Sequence, residues 1–245
     1  MSAPPSAPPP SMRRPRRVLV VGATGRLGVR IARALRARDD RVILSARDSA
    51  KLGMMATELG GDDVAKTVCV DLTTRDANER IAEQVRSHGG IDDVILACGP
   101  FPRTPFDGLR REDLERTLTV HAVAPLLLVA ALSSELIASK GAVIALGDAG
   151  VTRPYENHVA YLTAKGALQT GLRALAVELA PHVRINMVAL GIVADPEADA
   201  DPLRTHRLAT RSPLGRFGTS DEVAHVVLAL LDATWATGEI WGIGR

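Results

Sequence analysis

Aromatic residues are scarce. Two Trp, two Tyr and three Phe make up 3% of the 245-residue chain. Ala, Val and Leu must therefore build any core, and each aromatic ring stands out. Cysteine is also rare. Cys69 and Cys98 supply neither a disulfide framework nor a metal-ligand spacing, which suits a reducing cytoplasm. Acids are missing from the first 17 positions, where Arg13, Arg14, Arg16 and Arg17 give +4. The net charge is +2, so the rest of the chain is slightly acidic, which argues against a nucleic-acid-binding face. No apolar run approaches the ~20 residues that span a bilayer. The longest, around Val123–Leu132, is interrupted by Pro125, so no membrane partner is expected. His88, His158, His182, His206 and His225 lack metal-ligand spacing and read as surface residues; no metal is expected.

Hydrophobic residues make up 46% and charged residues 24%, a balance that predicts a packed globule. Residues 1–16 are rich in Pro, Ser and Ala and have no apolar core. They read as a disordered tail and not as a secretory signal. Residues 17–245 read as one domain. Short apolar runs alternate with helical patterns: RVLVV at 17–21, RVILSA at 41–46, TVCV at 67–70, DVILA at 93–97, AVIAL at 142–146, VRINMVA at 183–189 and GEIWGI at 238–243. Helices are predicted at 49–59, 111–137, 158–180 and 220–232, with others around Leu27–Leu35 and Ile81–Val85. This alternation predicts a single α/β domain: a doubly wound, Rossmann-type parallel sheet of about seven strands with helices on both faces. Residues 192–215 read as a substrate loop, whose Asp195, Glu197, Asp199 and Asp201 read as solvated.

The turn Gly22-Ala23-Thr24-Gly25-Arg26-Leu27-Gly28 joins the first strand to the first helix. Gly22 permits the tight turn, Gly25 lets backbone approach a phosphate, and Gly28 lets helix and strand pack closely. The helix N-terminus then offers free N–H groups to a pyrophosphate. At the end of the second strand stands Ser45-Ala46-Arg47, where an NAD-binding chain carries an acid. Arg47, with Arg26, can pair with a 2′-phosphate, which favours NADPH/NADP. Asp71-Leu72 follows the third strand; Asp71 either holds an adenine edge or caps the next helix. Tyr161 and Lys165 lie four residues apart, on one helix face. Lys165 can lower the Tyr161 pKa, and Tyr161 can then hand a proton to a substrate receiving hydride from the nicotinamide.

The glycine turn, the Tyr161-x-x-x-Lys165 pair, RINMVALG ending at Gly191, and Thr237-Gly238 together resemble the short-chain dehydrogenase/reductase family over residues 17–243. The resemblance implies that Tyr161 is the proton donor and that Lys165 binds the nicotinamide ribose. Departures accompany the matches. Asp148 stands thirteen residues before Tyr161, where the family places Ser. Leu96-Ala97-Cys98-Gly99 replaces Asn-Asn-Ala-Gly. His121 replaces a relay Asn, and either joins a water relay or bonds a main-chain carbonyl. Arg26 replaces the second glycine of the common turn. Asp148 and Arg26 resemble the pteridine reductase branch, as does Phe101, two residues past Gly99, where that branch stacks an aromatic on the pterin. There Arg26 bridges cofactor phosphate and substrate. Asp148 either relays a proton through Tyr161 or holds a substrate amino group, and it opposes Lys165 in setting the Tyr161 pKa.

Three functions fit: an NADPH-dependent reductase of a pterin-like C=N, a carbonyl or oxoacyl reductase of the same family, or an NADP-binding regulatory protein. The resemblance also implies a homotetramer paired through the long helices.

Overall fold

A computed structural model describes residues 14–194, 209–210 and 212–244. Most of the expected tail, and Asp195, Glu197, Asp199 and Asp201 of the expected substrate loop, lie outside the described residues.

The elements run in chain order as β1 (Arg17–Val21), α1 (Arg26–Arg36), β2 (Arg41–Ala46), α2 (Ser49–Glu58), β3 (Ala65–Cys69), α3 (Ala77–Ser87) and β4 (Asp93–Leu96). Then come α4 (Arg111–Leu118), α5 (Ala124–Ala131), α6 (Ser133–Ser139), β5 (Ala142–Asp148), α7 (Val159–Glu178), β6 (Arg184–Leu190), α8 (Ser220–Asp232) and β7 (Ile240–Ile243). The seven strands form one sheet in the order β3-β2-β1-β4-β5-β6-β7, and every pairing is parallel. The expected doubly wound sheet is therefore what forms. Successive residues of a strand point to opposite faces. Val18 and Val20 pack with Ile31 of α1, Leu52 of α2 and Val227 of α8. Leu19 and Val21 pack on the other face with Ile81 of α3, Leu128 of α5 and Leu168 of α7. Burial on both faces explains why the strands read as continuous apolar runs rather than alternating ones.

The helix expected over 111–137 is broken. A π-helical turn covers Thr119–Val123 between α4 and α5, and Leu132 leaves helical geometry before α6. Pro125 sits in the first turn of α5 and has no N–H to return to the preceding turn. In a π-turn its partner would be the Val120 carbonyl, which instead lies 3.8 Å from the Cys98 thiol. The run Arg111–Ala131 has the length and apolarity of a membrane-spanning helix, contrary to the sequence reading, and it lies against α3 and α7 within the domain.

The N-terminal boundary also differs. Arg14 pairs with Asp92 at 2.6 Å, and Arg16 pairs with the buried Asp93 at 2.7 Å. These two residues, grouped with the tail by composition, are fastened to the start of β4. The sheet order reverses between β1 and β4, and a doubly wound sheet binds ligands in the crevice at the carboxyl ends of such strands.

Candidate active site

A cavity of about 910 Å³ opens at that crevice. Its walls come from the ends of four strands: Gly22, Thr24 and Gly25 after β1, Arg47 after β2, Asp71 and Leu72 after β3, and Cys98 and Gly99 after β4. Gly22 has φ +82°, and a Cβ there would lie 2.6 Å from the Ala97 carbonyl oxygen, so the turn needs glycine. At Gly28 a Cβ would strike the Gly22 carbonyl, as expected for close helix–strand packing. No side chain caps the N-terminus of α1, and its first turn holds no acid. That end is thus open to an anion.

Arg47 and Lys51 both line the cavity. Asp48 lines the cavity beside them; its carboxylate accepts from the Lys51 backbone N–H at 3.0 Å, caps α2 and lies 3.6 Å from the Lys51 ammonium. Asp71 does not cap α3. Its carboxylate accepts from the N–H and hydroxyl of Thr73, both at 2.9 Å. The Thr73 N–H is the main reason its carboxyl is held below the usual range.

The second group of residues surrounds Asp148, the last residue of β5. Its carboxylate accepts three hydrogen bonds: from the Gly150 N–H at 2.6 Å, the Tyr155 hydroxyl at 3.0 Å and the Tyr161 hydroxyl at 3.2 Å. Tyr161 is 8% exposed. Burial, then the charge of Asp148, pushes its phenol well above the ordinary tyrosine value. This reverses the direction expected from Lys165. The Lys165 ammonium donates to the Leu146 carbonyl at 2.8 Å and lies 5.8 Å from the centre of the Tyr161 ring. It is itself buried and pushed below its usual value by that burial. Burial first, and the carboxylate contact second, set that direction.

His121 connects the two groups. It lies in the π-turn, lines the cavity and meets the Tyr161 ring edge-on at 5.2 Å. Its Nε2–H donates to the Pro100 carbonyl at 2.8 Å, which is the main-chain alternative offered by the sequence. Burial drops its pKa to about 3, so the ring is neutral. Gly99, at φ +108°, leaves the space that the ring fills.

Phe101 meets Tyr161 edge-on at 4.8 Å and stacks on His158 at 4.3 Å. His158 is therefore part of the site's aromatic wall, a correction to its reading as a surface residue. Three of the expected cofactor residues also make contacts within the protein. Arg26 donates to the Val193 carbonyl at 2.8 Å and ties the glycine turn to the segment after β6. Leu27 packs on the core. Gly191 abuts Gly244 near the end of β7.

The profile described as enoyl-(acyl carrier protein) reductase matches residues 22–243. L-xylulose reductase of Bos taurus is 32% identical over 222 residues, 88% of each chain. The chain belongs to the short-chain dehydrogenase/reductase family. D-erythrulose reductase of Gallus gallus is another relative of this short-chain dehydrogenase/reductase, 30% identical over 224 residues and 89% of each chain. Among solved structures, a glucose/ribitol-dehydrogenase-type family member from Brucella melitensis superposes with TM-score 0.85 at 27% identity, over 93% of this chain and 94% of that one. L-sorbose reductase from Gluconobacter frateurii, solved with NADPH and L-sorbose, shares the fold with TM-score 0.86 at 22% identity, over 94% and 95%.

Membership makes this chain an oxidoreductase of a family that uses nicotinamide cofactors. Sequence reasoning missed Tyr155, Lys51, Arg103 and Arg116, all of which face one or other part of the site. The scarcity of tyrosine was the available signal for Tyr155. The others sit in ordinary polar segments and gave none.

Proposed function

We propose that this short-chain dehydrogenase/reductase takes NADPH and reduces a C=N or C=O bond of a small substrate, with Tyr161 giving the proton. The observation that carries the reading is the Tyr161–Asp148 hydrogen bond, set beside Lys165 and against His121 at the cavity wall. The bound nicotinamide would supply the hydride. The open N-terminus of α1 would hold the pyrophosphate. Arg47 and Lys51 would hold the 2′-phosphate, and charge-assisted pairing there sets the preference for NADPH.

Proton delivery follows from the charge state of Asp148. As a carboxylate it accepts from both phenols, which leaves Tyr161 no proton to offer a substrate. Once protonated, it becomes a donor to the Tyr161 oxygen and frees the Tyr161 O–H. The carboxyl is thus the partner that arms Tyr161, a task that a Ser hydroxyl cannot perform by changing charge.

For the substrate we favour a flat, pterin-like heterocycle. Phe101 is 58% exposed, with one face on His158 and its ring beside Tyr161, which suits stacking of a planar ring. A ketose carbonyl is the second reading, favoured by the relatives named L-xylulose and D-erythrulose reductase. NADPH oxidation against pterins, quinones and ketoses separates the two. In the pterin reading, Phe101→Ala raises the pterin KM far more than the ketose KM. Equal effects favour the ketose. A homotetramer paired through α4, α5 and α7 belongs to the same proposal, with the exposed Val123, Leu127 and Val159 available to the contact.

A further inference from the structure

Asp148 carries a second phenol that the hydride-transfer step does not use. Tyr155 lies between β5 and α7, and its hydroxyl donates to the same carboxylate oxygen as Tyr161, at 3.0 Å against 3.2 Å. Tyr155 is 36% exposed, whereas Tyr161 is 8% exposed. Gly150 makes room for the Tyr155 ring, since any Cβ there would strike it. The ring also packs edge-on against His158 at 5.1 Å. The three oxygens thus form one chain, Tyr155–Asp148–Tyr161, whose outer residue reaches the surface.

We propose that Tyr155 is the port through which Asp148 takes a proton from solvent for each turnover. The inference rests on the reading of Tyr161 as proton donor. In the loading step a hydronium ion protonates the Tyr155 oxygen as the Tyr155 hydroxyl passes its own proton to the Asp148 carboxylate, so that no phenolate forms and no hydroxide is left. In the reaction step the substrate carbon receives a hydride, and the adjacent oxygen or nitrogen takes the Tyr161 proton. The Tyr161 oxygen receives the Asp148 proton at the same time. Asp148 returns to the carboxylate, both phenols are restored, and one solvent proton has been consumed. Tyr155 touches no reacting atom; it is a positioning residue that acts through Asp148.

The inner neighbours of Tyr161 are held in hydrogen bonds of their own. His121 donates its Nε2–H to Pro100, and burial keeps the ring from taking up a second proton. Lys165, on the inner side of α7, donates to Leu146. The ionisable groups nearest Asp148 are Tyr155 from the connecting segment and Tyr161 and Lys165 from α7, with His158 and His121 one ring further out.

The test is steady-state kinetics of Tyr155→Phe and Tyr155→Ala with NADPH and the best substrate of the panel. Both variants should lose about a hundredfold in kcat, the low end of a proton-transfer contribution, with KM little changed. Their kcat should fall more steeply with rising pH than the wild type's. Imidazole buffer, a small diffusible acid, should restore kcat to Tyr155→Ala in proportion to its concentration and leave the wild type unchanged. A structural role for Tyr155 would show no such rescue. Wild-type kcat and pH profile in Tyr155→Phe, or absence of buffer rescue, overturn the port while leaving Tyr161 as donor. Failure of the wild type to oxidise NADPH with any substrate overturns the underlying reading and the port with it.

Discussion

Asp148→Asn removes the charge from the one carboxylate on which both tyrosines of this chain rest. At the 3.2 Å separation of Asp148 and Tyr161, a carboxylate and a phenolate repel by about 5 kcal/mol at an effective dielectric of about 20. Residual screening brings the working figure to roughly 3–5 kcal/mol, or about two to four pH units in the alkaline midpoint of Tyr161. Burial is the larger cause of its high pKa and survives the substitution, so Tyr161 still titrates above free tyrosine. Tyr155, more exposed, ionises first. The assay is alkaline ultraviolet titration of phenolate absorbance. Only two tyrosines are present, so the whole signal reports on this site. The wild type should show no phenolate until it unfolds. Asp148→Asn should show both steps in the folded protein, checked by circular dichroism at each pH. The same onset in both proteins would refute the argument that Asp148 holds the two phenols protonated.

Two other perturbations probe the site's edges. Arg47→Asp should weaken NADPH relative to NADH by about ten- to a hundredfold, the worth of one charge-assisted phosphate contact; fluorescence titration of both cofactors checks this, and an unchanged ratio removes Arg47 from the site. His121 tests burial through pH. Its folded pKa is about 3 against about 6.5 unfolded, so the unfolded state binds the proton first as pH falls. The resulting stability is present above about pH 6.5 and lost progressively towards pH 3. Between pH 7 and 5 the wild type should therefore lose about 2 kcal/mol more than His121→Gln in urea unfolding, and equal losses would mean that His121 is not held neutral.

Much of this site was readable before any coordinates, for reasons that differ from residue to residue. The central strands of a parallel sheet covered on both faces are apolar along most of their length, so runs such as RVLVV declare themselves. The glycine turn is equally plain, because Gly22 and Gly28 are imposed by backbone contacts within a few residues of each other. Tyr161 and Lys165 share a helix face, which spacing alone reveals. What escaped depends on distant partners. The direction of the Tyr161 pKa is set by burial and then by Asp148, thirteen residues away across a strand end, and no spacing rule reads either. Arg26 sits within the glycine turn, yet its guanidinium turns to Val193, 167 residues on. His158 looked like a surface histidine because its partners, Phe101 and Tyr155, come from two separate connections. The break in the helix over 111–137 was partly legible in Pro125. The π-turn that accommodates it, and that places His121 between the cavity and Tyr161, was not.

The most direct test of the account is Tyr161→Phe, assayed for NADPH binding and NADPH oxidation in parallel. The phenyl ring keeps the packing against Phe101 and His121 but has no proton to give. The account predicts NADPH affinity within about twofold of the wild type and turnover reduced by at least about a hundredfold, the usual contribution of a positioned acid. Turnover near the wild-type rate with cofactor still bound would contradict it.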